Sequence, residues 1–449
     1  MAKTQTSHFL VIPFPVLGHV NPFMQFSHVV AKHGCKVTFL NTESSQKRAN
    51  QAASASASAS SDQTAARINF VTLPDGLDPE DERNDPLKFL FSIKTSMPPL
   101  LPKLIEEVNE LDGGENKISC IVVSMNMGWA LEVGQKMGIK GALLFPGSAT
   151  TLACTDSMHR LIDEGIIDPQ NGLPTKKQEI KLCPDMPSMD SSRLPWCTLP
   201  KPFFDHLLQE MQTLRLGSWW LCNTTHQLEP WAFSLSPKLL PIGPFIDQTT
   251  ASFWQEDTDC LQWLDHHPPK SVIYISFGSL AVMDPTQFTE LALGLDLLQK
   301  PFLWVVRPNN KGLVYPQEFK GCKGKIVGWA PQKKVLAHPT IACFISHCGW
   351  NSTMEGVYSG VPFLCWPFFT DQFQDKAYVC DVWKVGMGFE KDENGIITRG
   401  EIKKKVEELL ADEGIRERSL KLKEMTLNNV DEGGQSSNNL NMFINWAKE

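Results

Sequence analysis

Trp329–Gln372 reads WAPQKKVLAHPTIACFISHCGWNSTMEGVYSGVPFLCWPFFTDQ. At its centre, Cys343–Ser346 is a short apolar run of the kind that forms a buried strand. His347-Cys348-Gly349-Trp350 reads as a tight turn and Asn351-Ser352 as the opening of a helix, both being favoured cap residues. The N–H groups at a helix start attract anions, so strand, glycine turn and helix N-terminus together predict a phosphate cradle. His347 adds a donor there, and a positive charge when protonated. The indole of Trp329 suits stacking on a base. Glu355 lies one turn into the helix, where a carboxylate can accept from two ribose hydroxyls, and Asp371 and Gln372 follow a further strand with groups suited to sugar hydroxyls. Singly each feature is weak, because a helix-cap asparagine is most often structural; the ordered set carries the reading.

Outward from this segment the chain alternates short apolar runs with longer amphipathic stretches. Phe9–Phe14, Val37–Asn41, Ile68–Leu73 and Ile118–Val123 read as buried parallel strands, with helix-length patterns at Pro22–His33 and Lys88–Leu111. The second half repeats the theme at Val272–Phe277, Phe302–Val306, Lys325–Val327, Cys343–Ser346 and Pro362–Cys365. Two such series imply an α/β fold of two Rossmann-like, doubly wound parallel-sheet domains. Their joint is placed at 241–260: Pro241-Ile242-Gly243-Pro244-Phe245 suits an extended connection, and the polar stretch Asp247–Asp259 follows it. The domains expected are therefore 1–240 and 261–449. The ending from Arg399 to Glu449 reads as two or three helices, the last packing back on the first domain. The Ser/Ala run Ala52–Ser61 reads as a surface loop.

Bulk properties bound the function. With 449 residues the chain exceeds one ordinary core, and a net charge of −8 argues against a nucleic-acid partner, which calls for a basic face. No apolar segment is long enough to span a bilayer. Phe9–Leu17 imitates a signal peptide, but Pro13 and Pro15 interrupt it and Lys3 is its only basic residue, so none is expected. The twelve cysteines form no CxxC pair, which suits reduced core thiols in a cytoplasmic protein. Asp257-Thr258-Asp259 matches a metal-binding DxD triplet, yet it directly precedes an amphipathic run and reads better as a helix cap, so no metal is expected. His266-His267 precedes two prolines and reads as a surface turn. Gly18 and its neighbours make no GxGxxG, which disfavours a nicotinamide enzyme.

The Trp329–Gln372 stretch resembles, nearly position by position, the signature box of plant secondary-product UDP-glycosyltransferases, glycosyltransferase family 1. The likeness extends to the PFPxxGHVNP start, Gly128-Trp129-Ala130-Leu131-Glu132-Val133, the Pro241–Pro244 joint, Ile275-Ser276-Phe277-Gly278-Ser279, and Cys380–Lys384 with Gly386 and Gly388. It implies the GT-B arrangement, two Rossmann-like domains facing a cleft, with the donor on the C-terminal half. Trp329 would stack on uracil with Ala330 and Gln332 nearby. Glu355 would hold the ribose, while Ser279, His347, Trp350, Asn351 and Ser352 would surround the pyrophosphate; Gly18 is counted with the donor-binding residues. Asp371 and Gln372 would read the sugar; a Gln at this position is associated in the family with glucose. UDP-glucose is thus the expected co-substrate, with no further cofactor, a small-molecule acceptor as the other partner, and a monomer as the expected state.

His19 lies between the strand Phe9–Phe14 and a helix expected to begin near Asn21, at the strand-to-helix edge where open α/β sheets bind ligands. By resemblance to the family's GHVNP motif it is the general base that takes a proton from an acceptor hydroxyl, and displacement at the anomeric carbon inverts it. The family normally pairs this histidine with an Asp after the fourth strand, where this chain has Ser124 in VVSMNMGW. A hydroxyl fixes a tautomer but offsets no charge, and loss of such a carboxylate elsewhere costs about ten-thousand-fold. Three explanations stand: an acceptor acidic enough to need little help, compensation by another carboxylate such as Asp371 or Glu390, or a slow or inactive enzyme that only binds UDP-sugar. Phe14, Met125, Phe145, Met186 and Trp196 are the candidate acceptor-pocket residues, able to hold a flat phenolic, flavonoid or terpenoid molecule. A GT-B epimerase is disfavoured by the base motif and the complete signature box.

Overall fold

The computed structural model describes residues 6–55, 65–78, 80–81, 83, 85–183, 186, 188–245, 257–307 and 313–449. The chain forms two compact units, Met1–Trp254 with Asn429–Glu449, and Gln255–Asn428. The polar joint 247–256 and most of the Ser/Ala run lie outside the described residues, although a helix, Glu43–Ala55, covers that run's first positions.

In the first unit the strands are β1 His8–Ile12, β2 Lys36–Thr42, β3 Ile68–Leu73, β4 Cys120–Val123 and β5 Lys140–Phe145. A small antiparallel pair follows, β6 Glu179–Ile180 and β7 Met189–Asp190, and then β8 Trp219–Cys222 and β9 Leu239–Pro241. The main sheet runs β3-β2-β1-β4-β5-β8-β9, all parallel. The two-residue period of a strand divides its side chains between two cores: Leu10 and Ile12 face one cluster, Phe9 and Val11 the other. Both faces of the inner strands are covered by crossover helices, so these read as continuous apolar runs, whereas β3, expected to be buried, is an edge strand that exposes Asn69, Phe70 and Thr72.

The second unit has β10 Val272–Ser276, β11 Phe302–Val305, β12 Gly324–Val327, β13 Ile341–Ser346, β14 Phe363–Cys365 and β15 Gly386–Gly388, in the parallel order β12-β11-β10-β13-β14-β15. In each sheet the winding reverses once beside its first strand, between β1 and β4 and between β10 and β13. Ligands bind at such a reversal, where neighbouring crossover helices diverge.

Three helical expectations are corrected. The Lys88–Leu111 pattern is two helices, Pro86–Ser96 and Leu101–Glu110, because Pro98 and Pro99 supply no N–H to continue the first. The helix expected near Asn21 begins at Leu17 and carries Pro22 within it, so His19 sits in its first turn. The helix after β13 is capped by Gly349 and starts at Trp350, so Asn351 and Ser352 lie inside its first turn and neither is the cap. The ending forms three helices, Arg399–Ala411, Glu413–Val430 and Gln435–Lys448. The last belongs to the first unit, where Leu440, Phe443, Ile444 and Ala447 join the core of Phe9 and Phe26. Phe443 stacks on Phe9 at 5.7 Å between ring centroids, and Asn439 Nδ2 donates to the Pro241 carbonyl at 2.9 Å. No disulfide joins the twelve cysteines. No helix among the described residues is long and apolar enough to cross a membrane.

Phe443 is fully buried. Its substitution by alanine leaves a cavity under β1 and should lower the stability of the first unit by about 3–5 kcal/mol, read as a drop in its denaturant midpoint with the second unit's transition unmoved.

Candidate active site

At the β10/β13 reversal of the second unit, two turns meet. Gly278, just after β10, has φ +68°, and a Cβ there would lie 2.6 Å from His347 Nε2; a Cβ at Gly349 would lie 2.5 Å from the same atom. Both glycines are therefore required by the close approach of the imidazole. Cys348 adopts φ +67°, which lets the chain turn sharply from β13 into the helix Trp350–Ser359, and its N–H donates to Ser346 Oγ at 3.0 Å. Arg307, buried at the end of β11, donates both guanidinium ends to the carbonyls of Ser279 and Ala281, which fixes the loop that presents Ser279. Burial lowers the pKa of His347 to about 4, with the Arg307 charge adding to the effect, and its Nδ1 has no hydrogen-bond partner among the described residues. Burial therefore works against the positive charge entertained for His347 and favours its neutral ring. An anion placed beside it would favour the charged form.

Gln332 ties the rest of this site together. Its Nε2 donates to Ser352 Oγ and to Glu355 Oε2, both at 2.8 Å, and its Oε1 accepts from the Tyr274 hydroxyl at 3.1 Å. Ser352 and Glu355 are three residues apart and share one helix face. Trp329 and Ala330 lie three and two residues before Gln332 in the chain and Asn351 precedes Ser352, so these bonds gather them into one neighbourhood. The Trp329 carbonyl accepts from the Asp257 N–H at 2.9 Å. Beyond β14, Gln372 is buried and its Oε1 accepts from the N–H groups of Phe368 (2.8 Å) and Phe369 (3.3 Å), so its carbonyl shapes the turn that carries Asp371. Burial raises the Asp371 pKa while Thr370 Oγ1 donates to it at 2.9 Å.

At the β1/β4 reversal of the first unit, Ser124 Oγ and His19 Nδ1 are in direct hydrogen bond. Ser124 is fully buried, and its N–H donates to the Ile12 carbonyl at 3.0 Å. Desolvation lowers the His19 pKa to about 4. The positive end of the helix dipole at Leu17 acts in the same direction. The ring keeps partial contact with water, which moderates the shift, and the direction is toward a neutral imidazole. The Phe14 ring lies edge-on to His19 with centroids 5.7 Å apart, and Phe14, Met125 and Phe145 share one apolar cluster. Met186 and Trp196 do not join them. They are buried in a separate cluster with Phe204, and the Trp196 indole N–H donates to the Gly172 carbonyl at 2.8 Å. Gly18 is in the first turn beside His19, in the unit that does not carry the other donor-side residues.

Sequence reasoning did not single out Tyr274, Arg307, or the pair His206 and Glu210 behind Ser124. Tyr274 occupies an ordinary strand position and Arg307 the loop just past β11, and nothing in their spacing sets them apart. Asp257, one position before the N-cap of the helix Asp259–Asp265, accepts at Oδ1 from the Asp259 N–H at 3.0 Å; the cap itself is Thr258, which makes no side-chain cap bond. His266 and His267 bond through Nδ1 to the Gln262 and Trp263 carbonyls at 2.7 and 3.0 Å.

Comparison with known proteins agrees with this geometry. The family described as UDP-glucoronosyl and UDP-glucosyl transferase matches residues 209–430. Among solved structures, the UDP-glycosyltransferase UGT71G1 of Medicago truncatula, determined with UDP-glucose, aligns with a TM-score of 0.82 at 25% identity over 99% of each chain. A UDP-glucosyltransferase of Polygonum tinctorium, described as capable of glucosylating indoxyl and determined with 3,4-dichloroaniline, aligns with a TM-score of 0.82 at 25% identity, covering 100% of both chains. The fold class is therefore GT-B, with two doubly wound parallel sheets. UDP-glycosyltransferase 83A1 of Arabidopsis thaliana is 42% identical over 98% of this chain and 97% of its own length. On that identity the chain belongs to the plant family 1 UDP-glycosyltransferases and is a glycosyltransferase enzyme with a UDP-sugar as co-substrate.

His19, His206 and His347 each have a pKa lowered to about 4, with burial the leading cause. The unfolded chain protonates them near 6.5 while the folded chain does not, so stability is full above pH 6.5 and is lost as the pH falls toward 4. Urea midpoints between pH 7 and 4.5 should fall steadily, and a double replacement of His206 and His347 by Asn should flatten that slope.

Proposed function

We propose that this enzyme transfers glucose from UDP-glucose to a hydroxyl of a small lipophilic acceptor, phenolic, flavonoid or terpenoid, with inversion at the anomeric carbon and without a metal ion. The observation that carries the donor half is the convergence of Gln332, Ser352 and Glu355 beside the glycine-lined imidazole of His347. Trp329 supports the uracil, Glu355 the ribose, and Ser279, Trp350, Asn351, Ser352 and His347 the pyrophosphate. An uncharged, glycine-capped helix start is suited to that last task. Asp371 and Gln372 face the hexose. Glucose is favoured by Gln372 and by the UDP-glucose bound to the Medicago relative. A small aromatic acceptor agrees with the indoxyl glucosylated by the Polygonum relative. Cysteines without disulfides fit a cytoplasmic enzyme, and a monomer suffices for every role named.

In this reading His19 Nδ1–H donates to Ser124 Oγ and leaves Nε2 to take the acceptor proton. The acceptor oxygen bonds to the anomeric carbon as its bond to the UDP oxygen breaks, giving a β-glucoside and UDP. Ser124 cannot neutralise the imidazolium that forms, so the acceptor's own acidity must supply part of the driving force. Ser124 also favours a second reading, a UDP-sugar-binding protein with little catalysis. Purified protein with UDP-glucose and a mixed phenol panel separates them: UDP release that requires acceptor supports transfer, and no release supports the binding protein. Acceptor-independent conversion of the sugar would mark an epimerase.

His19→Ala should abolish transfer and leave UDP affinity unchanged by calorimetry; retained turnover would remove the base assignment. Because its pKa is lowered, kcat/KM should stay flat from pH 8 through 6.5 and decline only below that, as His19 protonates. An inflection at or above 6.5 would count against a desolvated base. Ser124→Asp should raise turnover on aliphatic alcohols more than on phenols, and an equal gain on both would remove the acidity argument.

A further inference from the structure

A serine hydroxyl reaches only one bond beyond Cβ and carries no charge to draw an imidazole toward it, so its use as the partner of His19 depends on where the backbone puts it. That backbone is held from behind. Ser124–Met127 is a turn closed by the Met127 N–H on the Ser124 carbonyl at 3.0 Å, and Asn126 within it takes φ +76°. Glu210, on the helix Lys201–Leu214, accepts from the Gly128 N–H at 2.7 Å and also from the Asn126 backbone. His206, one turn earlier on the same helix, bonds through Nε2 to Asn126 Oδ1 at 2.9 Å, and Lys94 Nζ lies 3.2 Å from its Nδ1. An ammonium can only donate, so Nδ1 accepts and Nε2–H is the donor to Asn126. The protonation pattern is thus fixed along the whole row from Lys94 to Asn126.

Both clamp residues are almost wholly buried, His206 at 3% and Glu210 at 2% exposure. Burial of a carboxylate is costly unless it is hydrogen-bonded, and here its bonds go to backbone N–H groups of the turn that bears Ser124. A Cβ on Gly128 would lie 2.8 Å from Glu210 Oε1, so the backbone approaches the carboxylate more closely than a side chain at 128 would allow.

We infer that Glu210, His206 and Lys94 form a positioning clamp that seats Ser124 Oγ on His19, and that turnover depends on it although none of the three touches substrate. This rests on His19 being the base. The clamp acts on the proton-transfer step alone, so its loss lowers kcat and leaves donor binding as it was.

The test is a double-mutant cycle of Glu210→Gln and Ser124→Ala, assayed with UDP-glucose and a simple phenol. Each single change should lower kcat by about 10–100-fold, the range expected when a catalytic group is misplaced by about 1 Å. The KM for UDP-glucose and the affinity for UDP should not move. Together the two changes should be no worse than the worse single one, because without the Ser124 hydroxyl there is nothing left to position. Effects that multiply, or a Glu210→Gln enzyme with wild-type kcat, would overturn the clamp. Should Glu210→Gln fail to fold, Lys94→Met replaces it, since Lys94 is only half-buried and its loss leaves the carboxylate in place. His19→Ala in the same assay separates the two readings: a fully active His19→Ala enzyme removes the base assignment, whereas an inactive one with multiplying clamp effects removes the clamp alone.

Discussion

A parallel strand cannot be followed by a hairpin; the chain must cross back over the sheet before the next strand begins. That constraint places every strand-to-helix turn of a sheet at the same edge, and it arranges this enzyme. His19 follows β1, Ser124 follows β4, Gly278 and Ser279 follow β10, Gln332 follows β12, His347 follows β13, and Asp371 follows β14. Where the winding reverses, the helices on either side diverge and their first turns stand beside open space. Two close approaches, Ser124 on His19 and the His347 ring against the backbone of Gly278, fall at the two reversals. Neither depends on strand chemistry beyond apolar burial, which explains how ordinary runs such as FLVI and VIYIS can position chemistry.

The electrostatics of these edges follow from the same geometry. A histidine in a first helical turn, backed by a sheet core, is desolvated and faces the positive end of a dipole, so the neutral ring is favoured. His19 is of this kind, and His347, one strand-turn away from a helix start, is driven the same way by burial and Arg307. For a base, neutrality is the useful state. For His347, it means that the folded chain avoids an uncompensated cation next to Arg307, and a diphosphate placed there as proposed would favour the charged ring.

Much of this was legible in the chain because burial on both faces writes itself as unbroken apolar runs. Ile68–Leu73 matches to the residue and the other eight expected strands to within two, whereas β5 to β9 and β15 are not anticipated. Boundaries set by turn chemistry were not. Gly18 and Pro22 both discourage helix when read locally, yet the helix starts at Leu17, since a proline near the start sacrifices few hydrogen bonds and Val20 and Phe23 bury against the sheet. Asn351 looked like a cap because Asn usually is one, whereas Gly349 takes that position so that His347 can pass closely. The aromatic and methionine signals divided by neighbourhood: Phe14 reached His19, while Trp196 found its hydrogen bond at Gly172 in a satellite core. The His206–Glu210 clamp left no mark at all, since its partners are 80 and 82 residues away in sequence and meet only through the packing of helix Lys201–Leu214.

Ser124 gains sense beside two buried carboxylates of the same unit. Glu210 accepts from the Gly128 N–H before the helix Trp129–Lys136, and Glu229 accepts from the Ala149 and Thr150 N–H groups at the start of the helix Ala149–Asp156. Both have raised pKa values from burial, moderated by those N–H donors. The helices after β4 and β5 are thus held at their starts by carboxylates already strained by desolvation. A third carboxylate at 124, fully buried one turn from Glu210's contacts, would add a charge to the same apolar region, offset only when His19 is protonated. A hydroxyl avoids that burden in the resting enzyme and leaves the imidazole without a counter-charge during proton transfer. On the proposed mechanism, the position therefore trades a more stable, neutral edge for a dependence on backbone placement and on an acceptor that gives up its proton readily.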